Sequence, residues 1–106
     1  RNADIRWQGW LIPVEEGATI RAVHAGQVIY ADWLRGLGLL IVIDHHDGWL
    51  TLYAQNHSLI RQLGESVMAG EVIARAGASG GQEMTGLYFE IRQKGQPVDP
   101  AYWIRR

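Results

Sequence analysis

The sequence predicts an all-β fold built from antiparallel strands, with at most one short helix. Two observations carry this prediction. Several segments place apolar residues at every second position, which is the period of a half-buried strand, and 13 glycines separate these segments. Strand-like runs at a spacing of roughly 8–12 residues are typical of compact β sandwiches and barrels. A chain of 106 residues can bury one core but not two, so we expect a single domain over residues 1–106.

Six strands follow from the alternation. They span Thr19–Val23, Gln27–Asp32, Leu39–Asp44, Trp49–Tyr53, Glu71–Ala76 and Leu87–Gln93. Gly26 precedes the second strand, and a glycine-rich break at 36–38 precedes the third. The third and fourth form a hairpin, because the Asp47-Gly48 pair between them supplies the positive φ of a tight turn. Only residues 56–62 could form a turn or two of helix, with Asn56 or Ser58 as its cap.

Composition excludes several classes of function. The 10 Lys and Arg residues nearly balance the 11 Asp and Glu residues, and the net charge is -1. Such a balance gives no electrostatic basis for binding nucleic acid. The absence of cysteine excludes thiol nucleophiles and thiolate zinc sites. No apolar run approaches the roughly 18 residues that a membrane-spanning helix requires. Because the chain begins with Arg1 rather than Met, we expect it to be part of a longer protein.

The candidate catalytic side chains are sparse and poorly spaced. Two of the four histidines, His45 and His46, are adjacent, so on a strand they point to opposite faces. We therefore interpret the histidines as ordinary hydrogen-bonding residues at turns and strand ends. Ser79 lies in a glycine-rich loop at 77–81, but neither a following helix nor a His–Asp pair accompanies it. We expect a flexible or tightly turned loop there.

The strand predicted at Leu87–Gln93 has two different faces. Tyr88, Glu90 and Arg92 alternate with apolar residues and share one side. Tyrosine and arginine are enriched at binding hot spots, because they offer a large contact area with a polar tip. We therefore expect Tyr88 and Arg92 to be partly exposed on a binding surface.

Seven segments follow one another in an order that identifies a family. They are Glu16–Val28, Gly36–His45, Trp49–Ala54, Gly64–Ala74, Gly77–Gly81, Leu87–Arg92 and Val98–Trp103. In this order they resemble the LytM domain, the zinc endopeptidase fold of peptidase family M23, which cleaves peptidoglycan cross-bridges. The resemblance covers nearly the whole chain. It implies antiparallel sheets that form a groove.

The resemblance also implies that the catalytic centre has been lost. Active members carry two zinc ligands in an H-x-x-x-D element, a catalytic His after a Tyr-Ala strand, and an H-x-H pair. The matching positions here are Trp7, Leu11, Gln55, Gly86 and Tyr88. None of these side chains can hold zinc in tetrahedral coordination, and without zinc there is no activated water. We expect a degenerate domain with no catalytic residue, no metal and no cofactor.

Degenerate LytM domains of this kind are activators of periplasmic N-acetylmuramoyl-L-alanine amidases in bacterial cell division. The resemblance therefore implies a periplasmic location in a Gram-negative bacterium and an amidase partner that binds in the vestigial groove. It also implies that the parent protein docks on the membrane complex FtsEX through a segment outside this chain. The predicted docking residues are Trp7, Gln8, Leu11, Trp33, Leu37, Leu40, Tyr53, Tyr88 and Arg92.

Two alternatives stay open at this point. One is a passive domain that binds peptidoglycan through its aromatic residues. The other is a working zinc murein endopeptidase with displaced ligands, for which His24, His45 and His57 are the candidates. The lost ligand positions count against the peptidase, whereas only the family resemblance separates an activator from a passive binding domain.

Overall fold

The computed structural model describes residues 9–99, which form ten strands and no helix in that range. The strands are β1 (Trp10–Ile12), β2 (Thr19–Arg21), β3 (Gly26–Leu34), β4 (Gly38–Asp44), β5 (Trp49–Asn56), β6 (Ser58–Leu59), β7 (Ser66–Val67), β8 (Val72–Arg75), β9 (Leu87–Gln93) and β10 (Gln96–Val98). Seven of them form the main sheet, in the order β1-β9-β5-β4-β3-β7 with β10 beside β9. The other three form a small sheet in the order β2-β8-β6. All pairings are antiparallel, which confirms the predicted fold class.

The side of the main sheet that packs against the small sheet is called the core face. Its buried residues on β4, β5 and β9 are Ile41, Ile43, Tyr53, Phe89 and Ile91. The small sheet contributes Ile20, Ile73 and Ala74 to the same cluster. This cluster is the hydrophobic core, and removing its apolar surface from water is the main force that holds the two sheets together.

The opposite side of the main sheet is called the outer face. It carries a second buried cluster of Leu40, Val42, Leu52, Ala54 and Tyr88, with Tyr30, Leu37 and Leu50 packed against it. Because side chains alternate along a strand, Leu40 and Val42 of β4 point away from the core that Ile41 enters. The central strands are therefore buried on both sides.

One bulge in β5 shapes the outer face. Leu39 pairs with Asn56 and Ile41 pairs with Tyr53, so two residues of β5 stand opposite Leu40 alone. Gln55, at the bulge, has a φ of 67°, a conformation that few residues other than glycine adopt. The bulge turns the end of β5 toward the glycine-rich loop at 77–81, where the Ser79 N–H donates to the Gln55 carbonyl (3.3 Å).

The helix predicted at residues 56–62 is wrong. Asn56 ends β5, and Ser58–Leu59 forms β6, which pairs with β8. The His57 N–H donates to the Arg75 carbonyl (2.8 Å), and the Ile60 N–H donates to the Ile73 carbonyl (2.8 Å). These long-range hydrogen bonds use the backbone groups that a local helix would need, and tertiary pairing overrides the weak helical preference. The described part of the chain contains no helix that could cross a membrane.

Candidate functional site

The positions that match the peptidase zinc site lie close together in the structure. Leu11 of β1 is the register partner of Tyr88 of β9. A Cβ atom placed on Gly86 would lie 3.1 Å from Leu11 Cδ1. The Gln55 side-chain amide donates to the Gly86 carbonyl (3.1 Å). Four of the five predicted vestigial positions thus meet at one end of β9, while Trp7 lies outside the described residues.

The groups at this point do not fit a zinc ion. Leu11 offers only carbon atoms, and Gly86 has no side chain. A Cβ on Gly86 would also lie 3.0 Å from the Ile12 carbonyl oxygen, so a histidine there would have to displace its neighbours. Across residues 9–99, no group of three or more His, Cys, Asp or Glu residues could hold a metal ion.

Tyr88 belongs to a hydrogen-bonded row on the outer face. Its hydroxyl donates to Glu90 Oε2 (2.6 Å), and Arg92 Nε donates to Glu90 Oε1 (2.9 Å). Glu90 is only 4% exposed, and a buried carboxylate is tolerated only when it is paired. Tyr88 is 3% exposed, so the expectation that it is partly exposed is wrong. Both the ring and the hydroxyl of Tyr88 are part of the packed structure.

Several predicted docking residues come together on the outer face. Leu37 and Leu40 pack in one cluster with Tyr88. Leu11 lies opposite Tyr88 and is 38% exposed. The Arg92 side chain, at the other end of the row, is 31% exposed. On the outer face, Leu11, Leu37 and Arg92 are therefore the accessible members of the predicted set, and Leu40 and Tyr88 lie beneath the surface.

Two predicted docking residues lie on the other side of the sheet. Tyr53 is 1% exposed and packs against Phe89 in the core, with a distance of 5.4 Å between the ring centroids. It cannot share a surface with Tyr88, and this part of the prediction is corrected. Trp33 is exposed, but it pairs with Leu39 and so points to the side opposite Leu40. Gln8, like Trp7, lies outside the described residues.

A network of hydrogen bonds fixes the loops at the edge of the outer face. The Ser79 hydroxyl donates to the Asn56 carbonyl (2.6 Å) and accepts from the Leu39 N–H (3.0 Å). The Gln55 N–H donates to the Leu37 carbonyl (2.8 Å). These contacts use Ser79 structurally, and they hold Leu37 in place beside the cluster.

Sequence reasoning missed the role of Glu90, which joins Tyr88 and Arg92. A signal was present, since Glu90 stands between the two at alternate positions of a strand rich in large apolar residues. An acid there must be either solvated or paired, and the pairing partners are its two neighbours on the same side. The outer face of β9 is thus stabilised by the pairing of Glu90 with its neighbours as well as by apolar packing.

The displaced-ligand alternative finds no support in the placement of the histidines. Both ring nitrogens of His45 make hydrogen bonds, to the Ala25 carbonyl (2.8 Å) and to Thr51 Oγ1 (2.7 Å). His57 Nδ1 lies 3.9 Å from Glu16 Oε2, and both side chains are largely exposed. No third ligand joins His24 and His45, whose ring centroids are 5.7 Å apart, within the described ranges.

The two-sheet architecture is that of an M23-type peptidase domain. The model of peptidase family M23 matches residues 6–100, and the chain belongs to this family. A solved structure of an M23 peptidase from Pseudomonas aeruginosa superposes with a TM-score of 0.90 at 26% identity. The superposition covers 93% of this chain and 44% of that one.

Two of the curated relatives are named as murein hydrolase activators. The chain is 46% identical over 105 residues to the murein hydrolase activator EnvC of Escherichia coli, which covers 99% of this chain and 25% of EnvC. It is 41% identical over 90 residues to the murein hydrolase activator NlpD of the same organism, which covers 84% of this chain and 24% of NlpD. The chain therefore spans about a quarter of the length of these relatives.

Proposed function

We propose that this domain is a non-catalytic activator of N-acetylmuramoyl-L-alanine amidases that split septal peptidoglycan during cell division. The observation that carries the proposal is the state of the former zinc site. Leu11, Gly86 and Tyr88 adjoin one another where a metal centre would stand, yet they offer no ligand set. A peptidase fold without zinc ligands can still bind a peptide in its groove. Relatives named as murein hydrolase activators support such a binding role.

The outer face supplies the contact surface in this proposal. Leu11 and Leu37 present apolar side chains at its rim, above a packed layer that contains Leu40 and Tyr88. Arg92 adds a cation held in a defined position by Glu90. Apolar anchors at one end of the row and a positioned cation at the other suit an extended amphipathic peptide segment, whose acidic side chain would meet the guanidinium.

Activation follows from preferential binding to one state of the amidase. The bound segment is the amidase element that blocks the amidase's own active site. If the domain binds that element only when it is displaced, binding shifts the amidase toward its open state without any chemistry by the domain. The proposal places the domain in the periplasm of a Gram-negative bacterium, where murein lies, with the parent protein docked on FtsEX through a segment beyond this chain.

Charged substitutions at the rim test the proposal. We expect Leu11→Glu and Leu37→Glu each to reduce stimulation of a purified amidase by about tenfold or more, because each places an unpaired charge in an apolar contact. Stimulation is measured as the rate of dye release from labelled sacculi at increasing concentrations of the domain. A rightward shift of that curve would indicate weaker docking.

A matched control separates docking from folding. Leu63→Glu makes the same chemical change at a side chain that is 67% exposed in the loop before β7, and it should leave stimulation unchanged. All three variants are compared by thermal unfolding. If the two rim variants remain folded and still stimulate as well as the Leu63 variant, the outer face is not the docking surface.

A further inference from the structure

Four hydrogen bonds in series, called the hydrogen-bond chain, connect residues 22–25, which lie between β2 and β3, to Thr51 and Tyr53 of β5. The Val23 N–H and the Tyr53 hydroxyl oxygen are 3.1 Å apart, and the hydroxyls of Tyr53 and Thr51 are 2.8 Å apart. Thr51 Oγ1 and His45 Nε2 are 2.7 Å apart, and His45 Nδ1 lies 2.8 Å from the Ala25 carbonyl oxygen. Thr51 is 0% exposed and Tyr53 is 1% exposed, so water cannot replace a missing partner there.

The two backbone groups fix the direction of the first and the last of these hydrogen bonds. A backbone N–H can only donate, so Tyr53 Oη accepts from Val23. Burial raises the pKa of Tyr53 above its usual value of 10.0, so the phenol keeps its proton and donates it to Thr51. A carbonyl can only accept, so His45 Nδ1 carries a hydrogen and donates to Ala25.

One protonation state of His45 satisfies all of these groups. With a hydrogen on Nδ1 only, Nε2 accepts from the Thr51 hydroxyl, and every donor has an acceptor. A second proton on Nε2 would have to be donated to Thr51 Oγ1. Either the Thr51 hydrogen or the Tyr53 hydrogen would then lack an acceptor. A buried donor without an acceptor lowers the free energy of unfolding.

Several groups near His45 act on its protonation. Burial lowers the pKa of His45 below its usual value of 6.5, and the neighbouring imidazoles of His24 and His46 lower it further. The hydrogen bond to Ala25 and the carboxylate of Asp44 act in the opposite direction. From the strands packed around it, the uncharged side chains of Gln27, Ser66 and Thr51 approach the ring or its cleft.

We propose that His45 is a pH-sensitive latch that fastens residues 22–25 to the main sheet while its ring is neutral. These residues connect the small sheet to β3. Two of them, Val23 and Ala25, supply the backbone N–H and carbonyl at the two ends of the hydrogen-bond chain. The contribution to stability is complete above the unfolded pKa near 6.5, and it is lost as the pH falls from there through the lower pKa of the folded state. Acidification therefore loosens this segment ahead of the rest of the fold.

Amide hydrogen exchange of the intact domain tests the latch at the Val23 N–H, which donates to Tyr53. We expect the protection factor of the Val23 amide to fall by about tenfold or more between pH 7.5 and pH 5. The Ile60 amide, which donates to Ile73 away from the hydrogen-bond chain (2.8 Å), should keep its protection factor over the same range. A Val23 protection factor that stays constant down to pH 5 would overturn the latch.

Two variants and one direct measurement complete the test. Thr51→Val removes the link between His45 and Tyr53, so the pH response of Val23 should disappear. His46→Asn removes an exposed neighbouring histidine at a φ of 74°, a value that asparagine tolerates, and the response should persist. Nitrogen-15 NMR of the unmodified domain should find His45 with its hydrogen on Nδ1 and a pKa below 6.5. A hydrogen on Nε2, or a response lost in the His46 variant, would contradict the proposal.

Discussion

Tyr88→Ala is expected to lower the free energy of unfolding by about 3–5 kcal/mol, the usual cost of deleting a buried aromatic ring. The ring is 3% exposed and packs in the outer cluster with Leu40, Val42, Leu52 and Ala54. Its loss also removes the hydroxyl that donates to the buried Glu90 carboxylate. Since small domains are stable by only about 5–15 kcal/mol, this variant would lose a large part of its stability.

Tyr88→Phe separates the two parts of that loss. It keeps the ring and removes only the hydrogen bond to Glu90, which should cost about 1.5–3 kcal/mol because the acceptor is charged. Urea unfolding followed by tryptophan fluorescence measures both variants. An alanine variant as stable as the original protein would put the ring at the surface, as the alternation in the sequence had suggested.

Gly38→Ala is expected to lower the free energy of unfolding by about 2–5 kcal/mol, from conformational strain and overpacking together. Gly38 has a φ of 74°, where a side chain is strained. A Cβ atom there would lie 2.3 Å from Ser79 Oγ and 2.6 Å from the Ser79 carbonyl carbon. The backbone of the loop at 77–81 would have to move, and Leu37 beside it would lose its fixed position.

The neighbouring glycine provides the control for Gly38→Ala. Gly36 has a similar φ of 87°, but a Cβ atom placed there would meet nothing within 4 Å. Gly36→Ala should therefore cost only the conformational strain, about 1–2 kcal/mol. The free energies of unfolding are measured by urea unfolding. Equal decreases in the two variants would show that the close approach of position 38 to Ser79 adds no cost to a side chain there.

The long strands could be predicted from the sequence, and the shortest ones could not. Alternation over seven residues located β9 with its observed bounds, and the Asp-Gly pair located the hairpin between β4 and β5. Strands of two or three residues such as β1 and β7 are too short to display a period. They exist because longer neighbours offer them backbone partners, which is a property of the tertiary structure.

The exposure of the candidate site residues could not be predicted from the sequence. The family resemblance implied that Leu11 lies near Gly86 and Tyr88, although it is far from both in the sequence. Alternation assigns side chains to two faces, but it cannot tell that both faces of β4, β5 and β9 are covered. This is why Tyr53 and Tyr88 were both placed on one surface, whereas the register puts them on opposite sides of the sheet.

Two buried polar residues also differ from what the sequence pattern indicates. Glu90 and Thr51 look like solvent-facing residues in an alternating strand, yet each is buried and hydrogen-bonded. Such residues are acceptable inside only when they have hydrogen-bond partners. The partners of Glu90 are Tyr88 and Arg92 on its own strand, and those of Thr51 are Tyr53 and His45. In the proposed function, Glu90 contributes by holding Arg92 through a hydrogen bond at the docking surface.

Dye release from labelled sacculi tests most directly the claim that this domain activates an amidase and does not cut murein itself. The domain alone, a purified periplasmic amidase alone, and the two together are compared at equal protein concentrations. We predict no release above background by the domain alone and a rate with both proteins well above that of the amidase alone. Release by the domain alone that a chelator abolishes would contradict the account, because it would require the metal centre that this site does not provide.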